Sequence, residues 1–301
     1  MKRTVILPIL TGILVLLFTP NAERIHAQEA RANTYAQSLI DRALAKHPEV
    51  ATLAMHVTPP NSPDNVIIAS NFGRIGKKAD DDDLAVIRTG QPKAEIGKNG
   101  DRFSVELPLL DVSGDTVGAL AVAFPYEPGD NKAKFSKQAE QVRDELRRRI
   151  TNAGNLVEPF PYSQTPTNTY AQKLVDETMA SHPDLQILAL HITPPNRADN
   201  IILASSIGRI GKRADAEDRR VIDTGETLAK VNKNGDRFEV ELVLHDASRR
   251  PIGALAIVFP YKAGDAPSKF EEKAAAIRDE LAARISDVAS LMQRYPPSPA
   301  K

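Results

Sequence analysis

The chain is built twice. Residues 33–37, NTYAQ, return as residues 168–172, and the offset of 135 (168 minus 33) then runs without a gap to Ile150 and Ile285. The densest match is HVTPPNSPDNVIIASNFGRIGKK from His56 against HITPPNRADNIILASSIGRIGKR from His191. Copies of this length are domains, because the units of stacked solenoids have periods of ~20 to 50 residues. The fold must therefore be one that each copy completes alone.

The division that follows is residues 28–152 for the first copy and 168–292 for the second. Residues 153–167 between them, rich in Pro and Thr, read as a linker. Residues 293–301, with Pro296, Pro297 and Pro299, read as a flexible tail. Residues 1–27 open with Lys2 and Arg3, continue through an apolar stretch over 5–18 and end at Ala27. That is the pattern of a secretory signal peptide, and its apolar part is shorter than the ~20 residues that span a bilayer. The expectation is a periplasmic or secreted protein whose mature chain begins near Gln28.

Composition narrows the function classes. Hydrophobic residues at 42% and charged residues at 26% suit a globular chain with two cores. Lys plus Arg equals Asp plus Glu at 39 each. Removing Lys2, Arg3 and Arg24 against Glu23 leaves 36 and 38, so no basic field exists to attract nucleic acid. Cysteine is absent, which leaves no disulfide, thiolate nucleophile or lipid-bearing Cys.

Each copy reads as helix, two strands, short helix, three strands, helix. Tyr35, Leu39, Ile40, Ala43 and Leu44 fall at helical spacing, and His47-Pro48 stops the helix. Leu53, Met55 and Val57 alternate in a first strand, and residues 66–70 form a second. Asp80 to Asp83 suit the positive end of a short helix that ends at Thr89-Gly90. A strand before Lys98, a turn at Asn99-Gly100, a strand over 102–111 and a strand over 117–124 form an antiparallel meander. Phe135, Ala139, Val142, Leu146 and Ile150 then mark a closing helix. The expected class is α+β, an antiparallel sheet of about five strands in each copy, flanked by N- and C-terminal helices.

Several of these residues give a resemblance. Gly76-Lys77 with the acidic run, Ile87-Arg88-Thr89-Gly90, Leu107 to Gly114 and Val117-Gly118-Ala119-Leu120 resemble the Cache and PAS-like extracytoplasmic sensor domains. Copy two carries Gly211-Lys212, Ile222 to Gly225, Leu242 to Asp246 and Ile252 to Leu255. The resemblance implies two tandem sensor-like domains, each with a small molecule between the sheet and the short helices or loops beside it. It also implies a signal passed onward, which here is expected to run through a separate, membrane-bound partner.

Candidate ligand-binding residues come in matched pairs. Ser70, Arg74 and Lys77, with Ser205, Arg209 and Lys212, place a hydroxyl and two cations around a Gly-rich turn, where a guanidinium can grip a carboxylate or phosphate by two nitrogens. The alternative is pairing of Arg74 and Lys77 with Asp80 to Asp83 on a solvated surface. Asp111 and Asp246 end an apolar strand face and either meet a ligand amine or, more plainly, cap the next turn. His56 and His191 occupy matching strand positions and are either ligand contacts or structural histidines, since no spaced second ligand completes a metal signature. The face of Ala119, Ala121 and Ala123 leaves room for a pocket or a close-packed helix.

No phosphate loop, Gly-x-Ser-x-Gly elbow, His-Glu-x-x-His, heme-attaching Cys or calcium-loop pattern occurs. The expected function is thus non-enzymatic, cofactor-free binding of a small polar metabolite such as a carboxylate. The alternative is a structural or adaptor protein that uses the tandem fold to hold another exported protein.

Overall fold

The structure, a computed structural model, describes residues 34–296. The expected signal peptide, the expected start at Gln28 and the last five residues of the expected tail lie outside the described residues.

In the first unit, helix α1 (Tyr35–Lys46) precedes strands β1 (Thr52–Val57) and β2 (Val66–Ser70) and short helix α2 (Asp81–Thr89). Strands β3 (Lys93–Ile96), β4 (Arg102–Leu110) and β5 (Thr116–Pro125) follow, then α3 (Lys132–Arg147) and a one-turn helix α4 (Ala153–Leu156). The second unit repeats this with α5 (Tyr170–Ser181), β6 (Ile187–Ile192), β7 (Ile201–Ser205), α6 (Ala216–Thr224), β8 (Leu228–Val231), β9 (Arg237–His245), β10 (Pro251–Pro260), α7 (Pro267–Ala282) and α8 (Val288–Leu291). The sheets run β2-β1-β5-β4-β3 and β7-β6-β10-β9-β8, every pair antiparallel. This is the expected α+β architecture, an antiparallel five-stranded sheet in each unit with helices before and after it.

Local chemistry explains the element ends. Thr34 accepts from the Gln37 amide at 3.2 Å and caps α1, as Thr169 caps α5 onto Gln172 at 3.2 Å. The acidic run caps α2: Asp80 accepts from Asp83 N while the Asp83 side chain accepts from Asp80 N, and Gly90 closes the helix in the left-handed region. Helices α4 and α8 escape the sequence reading because single turns carry no periodicity. Their signal is one capping residue each, Asn152 and Asp287.

Alternation divides each sheet. Leu53, Met55 and Val57 of β1, Phe103, Val105, Leu107 and Leu109 of β4, and Leu120, Val122 and Phe124 of β5 pack with Leu39, Ile40, Val142 and Leu146 from α1 and α3. Each such fully buried side chain is worth ~1.5–3 kcal/mol. On the other face β5 offers Ala119, Ala121 and Ala123, and α2 lies against β4 and β5 there. Of the two readings of that room, the close-packed helix is the one found. Gly118 has no alternative: a Cβ there sits 2.2 Å from the His56 carbonyl oxygen, and at Gly253 2.1 Å from that of His191.

Part of the expected linker is packed: Val157 lies against the first core. Phe160 and Tyr162 lie on the first core, their rings 6.3 and 6.1 Å from that of Tyr35. Among the described residues, no helix is long and apolar enough to cross a membrane.

Candidate functional site

The two units meet at the residues the repeat singles out. Asp111 follows β4, and its Oδ1 accepts from the amides of Ser113, Gly114 and Asp115 at 2.9 to 3.1 Å, so it caps the β4–β5 turn. Its Oδ2 accepts from Arg237 of the second unit, a pair with both side chains buried. Arg237 also donates to Ser113 Oγ at 2.5 Å and to the Thr151 carbonyl at 2.9 Å. Beside it Ile187, Ile207 and Val258 form a small apolar patch against Val112. Asp246, the twin of Asp111, caps its own turn through Ser248 and Arg250 amides at 2.9 and 3.0 Å and holds the Arg250 side chain at 2.7 Å.

The cationic turn of the second unit holds a carboxylate, and that carboxylate is the chain's own. Arg209 Nε donates to Glu158 Oε2 at 3.1 Å, its Nη2 reaches Oε1, and Lys212 Nζ donates to Oε1 at 2.7 Å. Tyr162 donates its hydroxyl to Oε2 at 2.7 Å. Burial raises the Glu158 pKa, but Lys212, Arg209 and Tyr162 outweigh it and hold the group below its ordinary range. Ser205 orders the turn, its Oγ accepting from Ile207 N at 3.2 Å. Arg209 adopts a left-handed backbone at φ 62°, which costs a non-glycine residue about 1 kcal/mol. Gly211 lets Ser163 approach: a Cβ there sits 2.1 Å from the Ser163 carbonyl oxygen.

In the first unit the twin turn is bare. Arg74 keeps the same backbone at φ 59° but is exposed, 5.8 Å over the Phe72 ring, and Lys77 is exposed beside it. Ser70 donates its hydroxyl to the Gly73 carbonyl. Neither Arg74 nor Lys77 pairs with Asp80 to Asp83; Asp82 takes Lys93.

A cleft of about 560 Å³ opens where the units join. Arg42 and Arg149 of the first unit and Ser205, Ser206, Arg209 and Gln172 of the second line it. Tyr35 sits at the junction and donates to the Ile207 carbonyl at 2.7 Å. Burial raises its pKa, and the positive charges of Arg149, Arg42 and Arg209 oppose the rise. Neither Arg42 nor Arg149 forms an ion pair with any of the described residues. An adjoining cavity of about 400 Å³ shares both arginines and adds Lys46, Arg148 and Glu145. Such a cleft suits an anion, which bidentate guanidinium contacts hold well.

A second constellation repeats in both units under the short helix. His56 Nδ1 lies 2.9 Å from Asp83 Oδ2, and His191 Nδ1 3.2 Å from Asp218 Oδ2, all four side chains buried. Burial, and then the charges of Asp83, Asp80 and Asp82, push the Glu106 pKa to about 7. Burial, and then Asp218, Asp215 and Glu217, push that of Glu241 to about 8. One oxygen of each glutamate is buried without a hydrogen-bond partner among the described residues. The sequence reading missed Asp83, Glu106, Asp218 and Glu241. The one signal was that a glutamate recurs at the same strand position in both copies, on the face that alternation leaves to polar residues.

Of the ten candidate residues, Ser205 and Arg209 line the cleft and Lys212 stands behind it. His56 and His191 face the short helices, Asp111 and Asp246 cap turns, and Ser70, Arg74 and Lys77 form the bare turn. The structure does not bring His, Asp and the cationic turn together in either unit. Among the described residues, no group of three or more His, Asp or Glu is arranged to hold a metal ion.

No protein-family model matches the chain, and no curated protein does. Solved structures do. The repressor BlcR of Agobacterium tumefaciens aligns at 13% identity over 44% of this chain and 73% of its own, with a TM-score of 0.31. The nlh2 GAF domain of A. aeolicus aligns at 14% over 42% and 94%, TM-score 0.31. PelD of Pseudomonas aeruginosa, in complex with c-di-GMP, aligns at 12% over 85% and 78%, TM-score 0.25.

Proposed function

We propose that this is an exported, non-catalytic protein that binds a small anionic metabolite, a carboxylate, in the cleft between its two units. One observation carries the reading: Arg42 and Arg149 from one unit and Arg209 from the other line the same cleft. Glu158 on Arg209 supports the choice of ligand class, because the turn is built to take a carboxylate by two nitrogens. A ligand held by both units favours the arrangement in which they are joined, and that is the state a membrane-bound signalling partner would read. The basic start and short apolar stretch of residues 1–27 support export. Titration of the chain with mono- and dicarboxylates tests the reading, with Arg42→Ala and Arg149→Ala as the variants, since neither residue is ion-paired among the described residues.

A second reading, one site per unit between sheet and short helix, is favoured by the paired His–Asp–Glu constellations. Their unpartnered buried carboxylate oxygens suit a ligand with hydrogen-bond donors or positive charge. Loss of an ammonium ligand's effect in Glu106→Gln and Glu241→Gln, with no effect of Arg149→Ala, would favour this site over the cleft.

A further inference from the structure

The contact between the units has a counterpart, whose two halves stand apart on the described residues of the first and second units. Within the chain, the Asp111 turn of the first unit inserts against the second unit, where Arg237 meets it and Ile187, Ile207 and Val258 surround Val112. The offset of 135 gives each of these residues a twin. Asp246 and Ala247 at the far end of the second unit match Asp111 and Val112. Arg102, Thr52, Phe72 and Ala123 on the first unit match Arg237, Ile187, Ile207 and Val258.

Among the described residues both twin faces are largely uncovered, although Ala123 is buried like its twin Val258 and Thr52 is half-buried. Arg102 is exposed, whereas Arg237 is 5% exposed; Phe72 is 40% exposed, whereas Ile207 is 5%. Nothing lies within 4 Å of a Cβ built on Gly73 or Gly76, while their twins Gly208 and Gly211 face Tyr35, Arg149 and Ser163. At the other end, Asp246 is buried on the wall of a cavity of about 420 Å³, where its twin Asp111 takes Arg237. Tyr295 of the second unit, the twin of Phe160, is also exposed. One end thus presents a cation with Phe72 and Ile75 uncovered, and the other a buried carboxylate beside a notch.

We propose that copies of this chain associate head to tail, with Arg102 of one copy entering the Asp246 notch of the next as Arg237 meets Asp111 within the chain. Arg102 then replaces or joins the exposed Arg250 on Asp246. The contact is heterologous, so each added copy leaves both ends open and the assembly grows as a chain. Phe72 in place of Ile207 and Ala247 in place of Val112 trade bulk across the contact.

The test is sedimentation of the full chain over a concentration series, with Arg102→Glu and Asp246→Asn as variants. Asparagine keeps the oxygen that caps the turn, and circular dichroism of each variant checks the fold. Wild type is expected to gain mass with concentration, and either variant alone to weaken association by about a hundredfold, as for truncating a buried charge pair. Mixing the two variants leaves one intact contact and is expected to restore dimers and nothing larger. Phe72→Glu, which leaves Asp246 untouched, is expected to act as Arg102→Glu does. A wild type that stays monomeric at every concentration overturns the proposal. So does association that survives Arg102→Glu and Phe72→Glu, or a mixture that restores no dimer.

Discussion

Arg237 of the second unit and Asp111 of the first form an ion pair enclosed from solvent, and no other described pair joins the units with both charges so deeply buried. Asp111 is already committed through its other oxygen to three amides of its own turn. The carboxylate therefore couples the shape of one unit's turn to the seating of the next.

Asp111→Ala is expected to destabilise the protein by about 3–5 kcal/mol, because it strands the buried Arg237 charge. Asp246→Ala, which removes the same cap beside an exposed Arg250, is expected to cost about 1–2 kcal/mol. Urea unfolding of the two variants side by side measures the difference, which isolates the contact between the units from the cap they share.

Stability is expected to fall as pH rises from about 5 to 8. Glu106 and Glu241 have folded-state pKa values raised to about 7 and about 8, so their contribution is complete below the unfolded value and is lost as pH passes through the folded one. Asp83 and Asp218 are shifted down: burial opposes the shift, and His56 and His191 outweigh it. Their contribution runs the other way and is lost in acid. Thermal unfolding across this range, with Glu106→Gln and Glu241→Gln, checks the sign: each variant is expected to flatten the decline.

Gly76→Ala and Gly211→Ala share one backbone strain, at φ 84° and 91°, but differ in surroundings. The first is expected to cost about 1 kcal/mol and the second more, since its methyl meets the Ser163 carbonyl. Melting temperatures give the comparison, and equal losses would mean that residues 158–163 do not dock as described.

How much of this was legible in the sequence follows from what each signal encodes. Alternation over residues 103–109 gave the face of β4, and the Asp80 to Asp83 run gave the start of α2, because both are local patterns. For Asp111 the cap was readable and Arg237 was not, since a repeat specifies each unit and says nothing of how two units dock. The chemistry of Arg209 was readable as a grip on a carboxylate, but the carboxylate itself sits in the Pro-rich segment, where no period marks a contact. Arg42 and Arg149 look like ordinary surface charges along the chain, and only the fold sets both on the wall of one cleft with Arg209.

The most direct test of the central claim is thermal unfolding of the full chain against mono- and dicarboxylates, in wild type and in the Arg42→Ala, Arg149→Ala double variant. A ligand at a hundred times its dissociation constant adds about 2.7 kcal/mol, a shift of several degrees for units of this size. The account expects at least one carboxylate to raise the wild-type midpoint and to leave that of the double variant unchanged. A carboxylate that shifts both proteins equally, or a panel that shifts neither, contradicts the cleft as the binding site.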